Sequence, residues 1–162
     1  MQIKLKRKGD YTVRAMISVA RHVGDGLPKA RQISTEMAIP YKSLTLILAG
    51  LVGDGLLKAK HGPNGGYRLG RPATAITLLD IVESAEGPAT FTHCVLRDGP
   101  CDWEDTCPVH DTWSLAQDAL ARQLGATTLA DLAGIDGDIQ AGTHQSESPS
   151  HPQRTDRHGD RN

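Results

Sequence analysis

Cys94, Cys101, Cys107 and His110 follow one another at gaps of six, five and two residues, and they include every cysteine of the chain. Three thiols packed so closely in a segment of Gly, Pro and Asp have little apolar core to enter, so inert buried cysteines are not expected there. A Cys–His nucleophile would use one thiol and leave two unexplained. A structural disulfide is disfavoured where thiols stay reduced, although a transient redox pair stays open. A metal site would use all of them. Structural zinc usually takes ligands from pairs two to four residues apart, a spacing that only Cys107 and His110 meet. The wider gaps suit thiolates arranged around an iron–sulfur cluster, in which His can replace Cys. Spacing fits such a cluster better than zinc and leaves both open.

The elements that must position this loop can be read from periodicity. Residues 10–22 place Val13, Met16, Ile17 and Ala20 on one helical face. A short helix follows over 30–38, with Ile33 and Met37 inward. Ile39-Pro40 is expected to end it, because the residue before proline avoids the α conformation. A third helix starts at Pro40-Tyr41 and buries Leu44, Ile47, Leu48 and Leu51. Residues 56–60 and 67–69 read as two strands, with Asn64-Gly65 as a hairpin turn whose residues tolerate positive φ. Amphipathic helices follow over 77–85 and about 108–124. The latter carries a stripe of Val109, Trp113, Ala116, Leu120 and Leu124 that suits pairing with a second chain. One or two further helical turns fit 128–133, and from about Asp136 onward the polar sequence reads as a disordered tail. The expected fold is mainly α with a small β-hairpin wing: a winged helix-turn-helix followed by a long dimerisation helix. Its parts are a DNA-binding domain over 1–87, a cysteine loop over 88–110, a dimerisation region over 108–134 and a tail over 136–162.

Charge divides the chain in the same way. Residues 1–72 hold 13 Lys/Arg against 4 Asp/Glu, and residues 73–162 hold 5 against 15. A first half at +9 is the electrostatic footprint of a surface facing phosphates, so double-stranded DNA is the expected partner. In a winged helix-turn-helix the start of the third helix enters the major groove. Lys42, Ser43 and Thr45 are the candidate contacts there. Lys58, Lys60, His61, Asn64 and Arg68 would reach the backbone or minor groove from the wing, and Lys4 and Lys6 add charge at the N-terminus. No Walker loop, paired carboxylates or nucleophile–base motif is found, so an enzyme is not expected. Nothing resembles a signal peptide or membrane span, which leads to the expectation of a cytoplasmic protein without a membrane partner.

The stretches K-G-D-Y-T-V-R-A-M, H-G-P-N-G-G-Y-R-L-G-R-P and I-T-L-L-D-I-V-E-S-A-E-G-P, the cysteine loop, and the late T-T-L-A-D-L occur in this order. Together they resemble the IscR/NsrR-type family of winged-helix iron–sulfur transcription regulators, over about residues 1–134. Thr45-Leu46-Ile47-Leu48 departs from it, being more apolar than the family's recognition helices. The resemblance implies a homodimeric regulator, of repressor type, that senses cluster or iron status, nitric oxide or redox stress. It also implies Cys94, Cys101 and Cys107 as cluster ligands. His110 occupies the place of the fourth ligand of a 2Fe–2S site. Asp10 occupies the place of an aspartate that completes a 4Fe–4S site from the partner subunit. His110, and with it 2Fe–2S, is preferred because it is local to the loop. A static zinc site and an iron–sulfur scaffold or electron carrier are the alternatives.

Overall fold

The computed structural model describes residues 5–88 and 107–145. Helices α1 (Arg7–Arg21), α2 (Ala30–Glu36) and α3 (Tyr41–Gly53) lead into strands β1 (Leu57–Lys60) and β2 (Gly66–Leu69). A 3-10 turn, Ala73–Ala75, then precedes α4 (Leu78–Glu86), and α5 (His110–Ala126) and α6 (Leu129–Ala141) complete the described chain. The two strands pair antiparallel with Leu57 opposite Leu69 and Lys60 opposite Gly66. One core joins α1 to α4, the wing and the start of α6: Met16, Ile33, Leu44, Leu48, Leu51, Leu57, Ile76, Ile81 and Leu129 are all buried in it. The stripe expected of α3 is buried as a whole, whereas in α1 the buried face is Thr12, Ala15, Met16 and Val19, with Val13, Ile17 and Ala20 only partly buried at its edge. Among the described residues, no helix is long and apolar enough to cross a membrane.

Several boundaries differ from the sequence expectation, each for a physical reason. Helix α1 starts at Arg7, three residues before Asp10, so Asp10 lies within its first turn. The cap comes from a distant residue: the backbone N–H of Lys6 donates to Glu86 Oε1 at 3.1 Å, and Lys6 Nζ lies 3.6 Å from Glu86 Oε2. A carboxylate at a helix N-terminus satisfies an orphan donor and meets the positive end of the dipole.

Helix α2 stops at Glu36 rather than running to Ala38. Ala38 takes φ +49, and the N–H groups of Ala38 and Ile39 donate to Thr35 O and Ser34 O. This is a Schellman ending, which normally carries glycine at the left-handed position. The end of α3 is built the same way with Gly55, at φ +73, and with Leu56 N–H donating to Leu51 O. A left-handed Cβ costs about 1–2 kcal/mol, and glycine's extra chain entropy returns about 0.5–1 kcal/mol of that. Ala38→Gly is therefore expected to stabilise the protein by about 0.5–1 kcal/mol in urea denaturation. A loss of stability would show that the alanine methyl contributes packing outweighing its strain.

The wing turn is also not the expected Asn64-Gly65 type, since positive φ falls on Gly62 (+101) and Gly66 (+156) instead. Pro63 fixes a turn over residues 62–65 that Gly65 N–H closes onto Gly62 O at 3.0 Å, as proline at the second position favours. Helix α6 continues to Ala141, so the tail expected from Asp136 is helical as far as that residue.

Two similar sequence segments, I-T-L-L-D and T-T-L-A-D, fasten the second half to the first. Thr77 and Thr128 each close a capping box with the aspartate three residues on. Both caps are extended, and they pair: Leu78 N–H donates to Thr127 O and Leu129 N–H to Ile76 O, both at 2.8 Å. Hydrogen bonds from Thr128 hold the Asp131 carboxyl below the ordinary carboxylate range.

Candidate functional site

The helix-turn-helix is α2, the turn over 37–40 and α3. Arg14 of α1 secures the turn from behind: its Nη1 donates to Met37 O at 2.7 Å while its Nη2 pairs with Asp10 Oδ2 at 2.9 Å. The far end of α1 grips α2 through Ser18, whose hydroxyl donates to Glu36 Oε2, and through His22, 3.3 Å from Glu36 Oε1. Burial acts to raise the Glu36 carboxyl. Hydrogen bonds from Gln32 and Ser18, with the charges of His22 and Arg21, outweigh that and hold it below its usual range.

On this frame α3 turns Leu44, Ile47, Leu48 and Leu51 into the core and leaves Tyr41, Lys42 and Leu46 exposed. Ser43 and Thr45 are half-buried, and the Thr45 hydroxyl donates to Lys42 O at 2.9 Å. Lys42 thus stands out at the start of the recognition helix, and Thr45 spends its donor on the backbone. Of the apolar run at 45–48, Ile47 and Leu48 are core, so Leu46 alone brings that character to the surface.

The wing groups several exposed cations. Lys58 and Arg68 are directly opposite in the β-ladder, and both are exposed, as are Lys60, His61 and Asn64. Like charges facing one another across a ladder destabilise it by roughly 0.2–1 kcal/mol. Among the described residues neither Lys58 nor Arg68 has an acidic partner. Lys60 and His61 also line a hollow of about 290 Å³ with Lys29 and the glycines at 62, 65 and 66. Tyr67 N–H donates to Pro28 O at 3.0 Å, which draws the wing against the start of α2. Sequence reading missed Lys29 here. It also missed Arg31, whose guanidinium lies over the Tyr41 ring at 5.2 Å from its centroid. The signal available for both was their place in the first residues of the helix preceding the recognition helix.

The expected DNA contacts therefore separate. Lys42, Lys58, Lys60, His61, Asn64 and Arg68 lie exposed on the recognition-helix start and the wing, and Lys6, just before α1, is exposed as well, its Nζ 3.6 Å from Glu86 Oε2. Lys4 lies outside the described residues.

Cys94 and Cys101 also lie outside the described residues. Cys107 is half-buried and not in a disulfide, and one turn later His110 opens α5, its backbone N–H donating to Cys107 O at 3.2 Å. A thiol and an imidazole at one turn's spacing fit a soft-metal or iron–sulfur donor set. Asp10, the alternative ligand, is paired with Arg14 on α1. Among the described residues, no three His, Cys, Asp or Glu side chains cluster as a metal site.

Helix α5 has no fully buried residue. Of its expected stripe Val109, Ala116 and Leu120 are exposed and Trp113 and Leu124 half-buried, and Leu115 is 65 % exposed.

Comparison with known proteins agrees with this architecture. The Rrf2 family, described as iron-dependent transcriptional regulators, matches residues 5–134. An HTH-type transcriptional regulator of Mycobacterium tuberculosis is 31% identical over 158 residues, spanning 97% of this chain and 96% of its own. The HTH-type transcriptional regulator IscR of Yersinia enterocolitica is 30% identical over 144 residues, covering 89% and 87%. Among solved structures, CymR, the global cysteine regulator of B. subtilis, superposes with TM-score 0.71 at 31% identity, covering 82% of this chain and 98% of that one. IscR of T. potens does so with TM-score 0.70 at 27% identity, covering 90% and 96%. The chain belongs to the Rrf2 family and is a DNA-binding transcriptional regulator rather than an enzyme.

Proposed function

We propose that this protein is a homodimeric regulator, of repressor type, whose operator affinity is set by an iron–sulfur cluster. The ligands would be Cys94, Cys101, Cys107 and His110, with Asp10 as the alternative fourth. The observation carrying the DNA half of the reading is the Lys58–Arg68 pair, two cations opposed across an exposed ladder with no acidic partner among the described residues. A phosphate between or beside them converts that repulsion into attraction. Lys42, Lys60 and His61 extend the same field.

Dimerisation is supported by α5, which leaves Leu115 and Leu120 at the surface. A second copy of the helix would cover them and set two recognition helices at half-sites about one DNA turn apart. A bound cluster supplies redox-sensitive and ligand-exchange-sensitive crosslinking of its thiolates. The chain's own residues tie that loop to the reading head. Glu86, just before it, caps α1, and α1 holds the helix-turn-helix turn through Arg14. For the switch to work, the cluster must differ in free energy between two arrangements of these contacts.

The test is anaerobic purification with iron, sulfide and zinc analysis, followed by selection from a randomised duplex pool. Wild type is expected to show iron, sulfide and visible absorption, and to enrich a site with two half-sites about one turn apart. Cys101→Ala is expected to lose the absorption and to shift operator affinity by tenfold or more. Zinc without iron or sulfide, or absorption and affinity both unchanged in Cys101→Ala, would overturn the cluster reading.

A further inference from the structure

The outward row of the recognition helix has an unusual composition. At helical spacing, the residues opposite the buried Leu44, Ile47 and Leu51 are Lys42, Leu46, Ala49, Gly50 and Gly53. Leu46 is 77 % exposed, the most exposed of the large hydrophobics described. Beyond Lys42 no side chain in this row can donate or accept a hydrogen bond. The Thr45 hydroxyl beside it is already bonded to Lys42 O. Around Leu46 the row is small, and a Cβ added at Gly50 or Gly53 would meet no neighbouring atom within 4 Å. The helix can therefore lie close against whatever it faces, with one isobutyl group projecting.

We propose that Leu46 is a specificity-determining residue that reads the 5-methyl group of thymine in the major groove. This rests on the DNA-binding reading given above and names what the helix recognises. The chemistry is restrictive. Base edges in the major groove present donors, acceptors and one apolar group, the thymine methyl. An aliphatic side chain satisfies none of the polar groups and leaves them desolvated, a cost that selects against G, C and A at that step. Against a methyl it buries apolar surface on both sides. Lys42 in the preceding turn supplies the charge that brings the helix to the groove, and Leu46 supplies the discrimination.

The experiment uses the full chain and the site enriched from the randomised pool. Each thymine is replaced singly by 2′-deoxyuridine, which removes only the methyl, and affinity is read by fluorescence anisotropy. Wild type is expected to lose about three- to tenfold at one thymine in each half-site. Leu46→Ala is expected to show no further loss at that same position, and Leu46→Gln to shift the preferred base there from thymine toward adenine. Leu46 is at the surface, so thermal unfolding of both variants is expected to match wild type and to separate base reading from folding. Wild type indifferent to every replacement, or Leu46→Ala retaining the full sensitivity, would overturn the proposal while leaving DNA binding intact. A pool that yields no enriched sequence would overturn the DNA reading and this inference together.

Discussion

Leu48→Ala is expected to lower the free energy of unfolding by about 2–5 kcal/mol, the range for a fully buried leucine that leaves a cavity. Leu48 is 0% exposed and sits in the one core shared by the first three helices, the wing and the caps of α4 and α6. Its neighbours are held by separate elements, so collapse around the gap is limited. The fall in midpoint temperature would be on the order of 10 °C for a domain of this size. Circular-dichroism melts and urea denaturation measure it, with Leu46→Ala, on the same helix but exposed, as the reference. If the two variants lost the same stability, recognition-helix propensity rather than core packing would be the cause, and the packing argument fails.

The second large effect concerns the wing. Gly66→Ala is expected to cost about 1–3 kcal/mol and to weaken DNA binding beyond that loss. A Cβ at Gly66 would lie 2.4 Å from Leu27 O and 2.7 Å from Pro28 O, both backbone atoms that cannot swing aside. Relief would come from moving β2 away from the segment before α2, breaking the Tyr67 N–H to Pro28 O bond. That shift would carry Lys60 and Arg68 away from the helix-turn-helix face. Gly62→Ala is the matched control. Its φ of +101 makes it strained, but it has open space around it, so it perturbs the loop tip alone. Amide exchange at Tyr67 should rise in Gly66→Ala and stay at the wild-type level in Gly62→Ala. An unchanged Tyr67 amide in Gly66→Ala would refute the steric account.

What the sequence determined by itself follows from periodicity, charge and spacing. The stripes of α1, α2 and α3 are local patterns of period 3.6, and each buried set named from sequence includes residues the core holds. The division into a basic and an acidic half is a matter of counting. The wing's two strands are legible because Leu57, Tyr67 and Leu69 flank a Gly-rich turn. The start of α5 at His110 is legible in the apolar stripe that begins after Pro108.

The remaining features depend on partners far apart in sequence. The start of α1 is set by Glu86, eighty residues from Lys6, so no local cap signals it. Ala38 adopts a left-handed conformation because the buried Ile39 and the Arg14 bond to Met37 O hold the turn, against alanine's own preference. The extension of α6 to Ala141 is supported by contacts with α1, where Arg21 meets Asp136 and Gln140. Exposure settles the recognition helix in the same way. Thr45-Leu46-Ile47-Leu48 reads as one apolar run, and only packing against Met16, Ile33 and Leu57 separates the core residues from the one that faces outward.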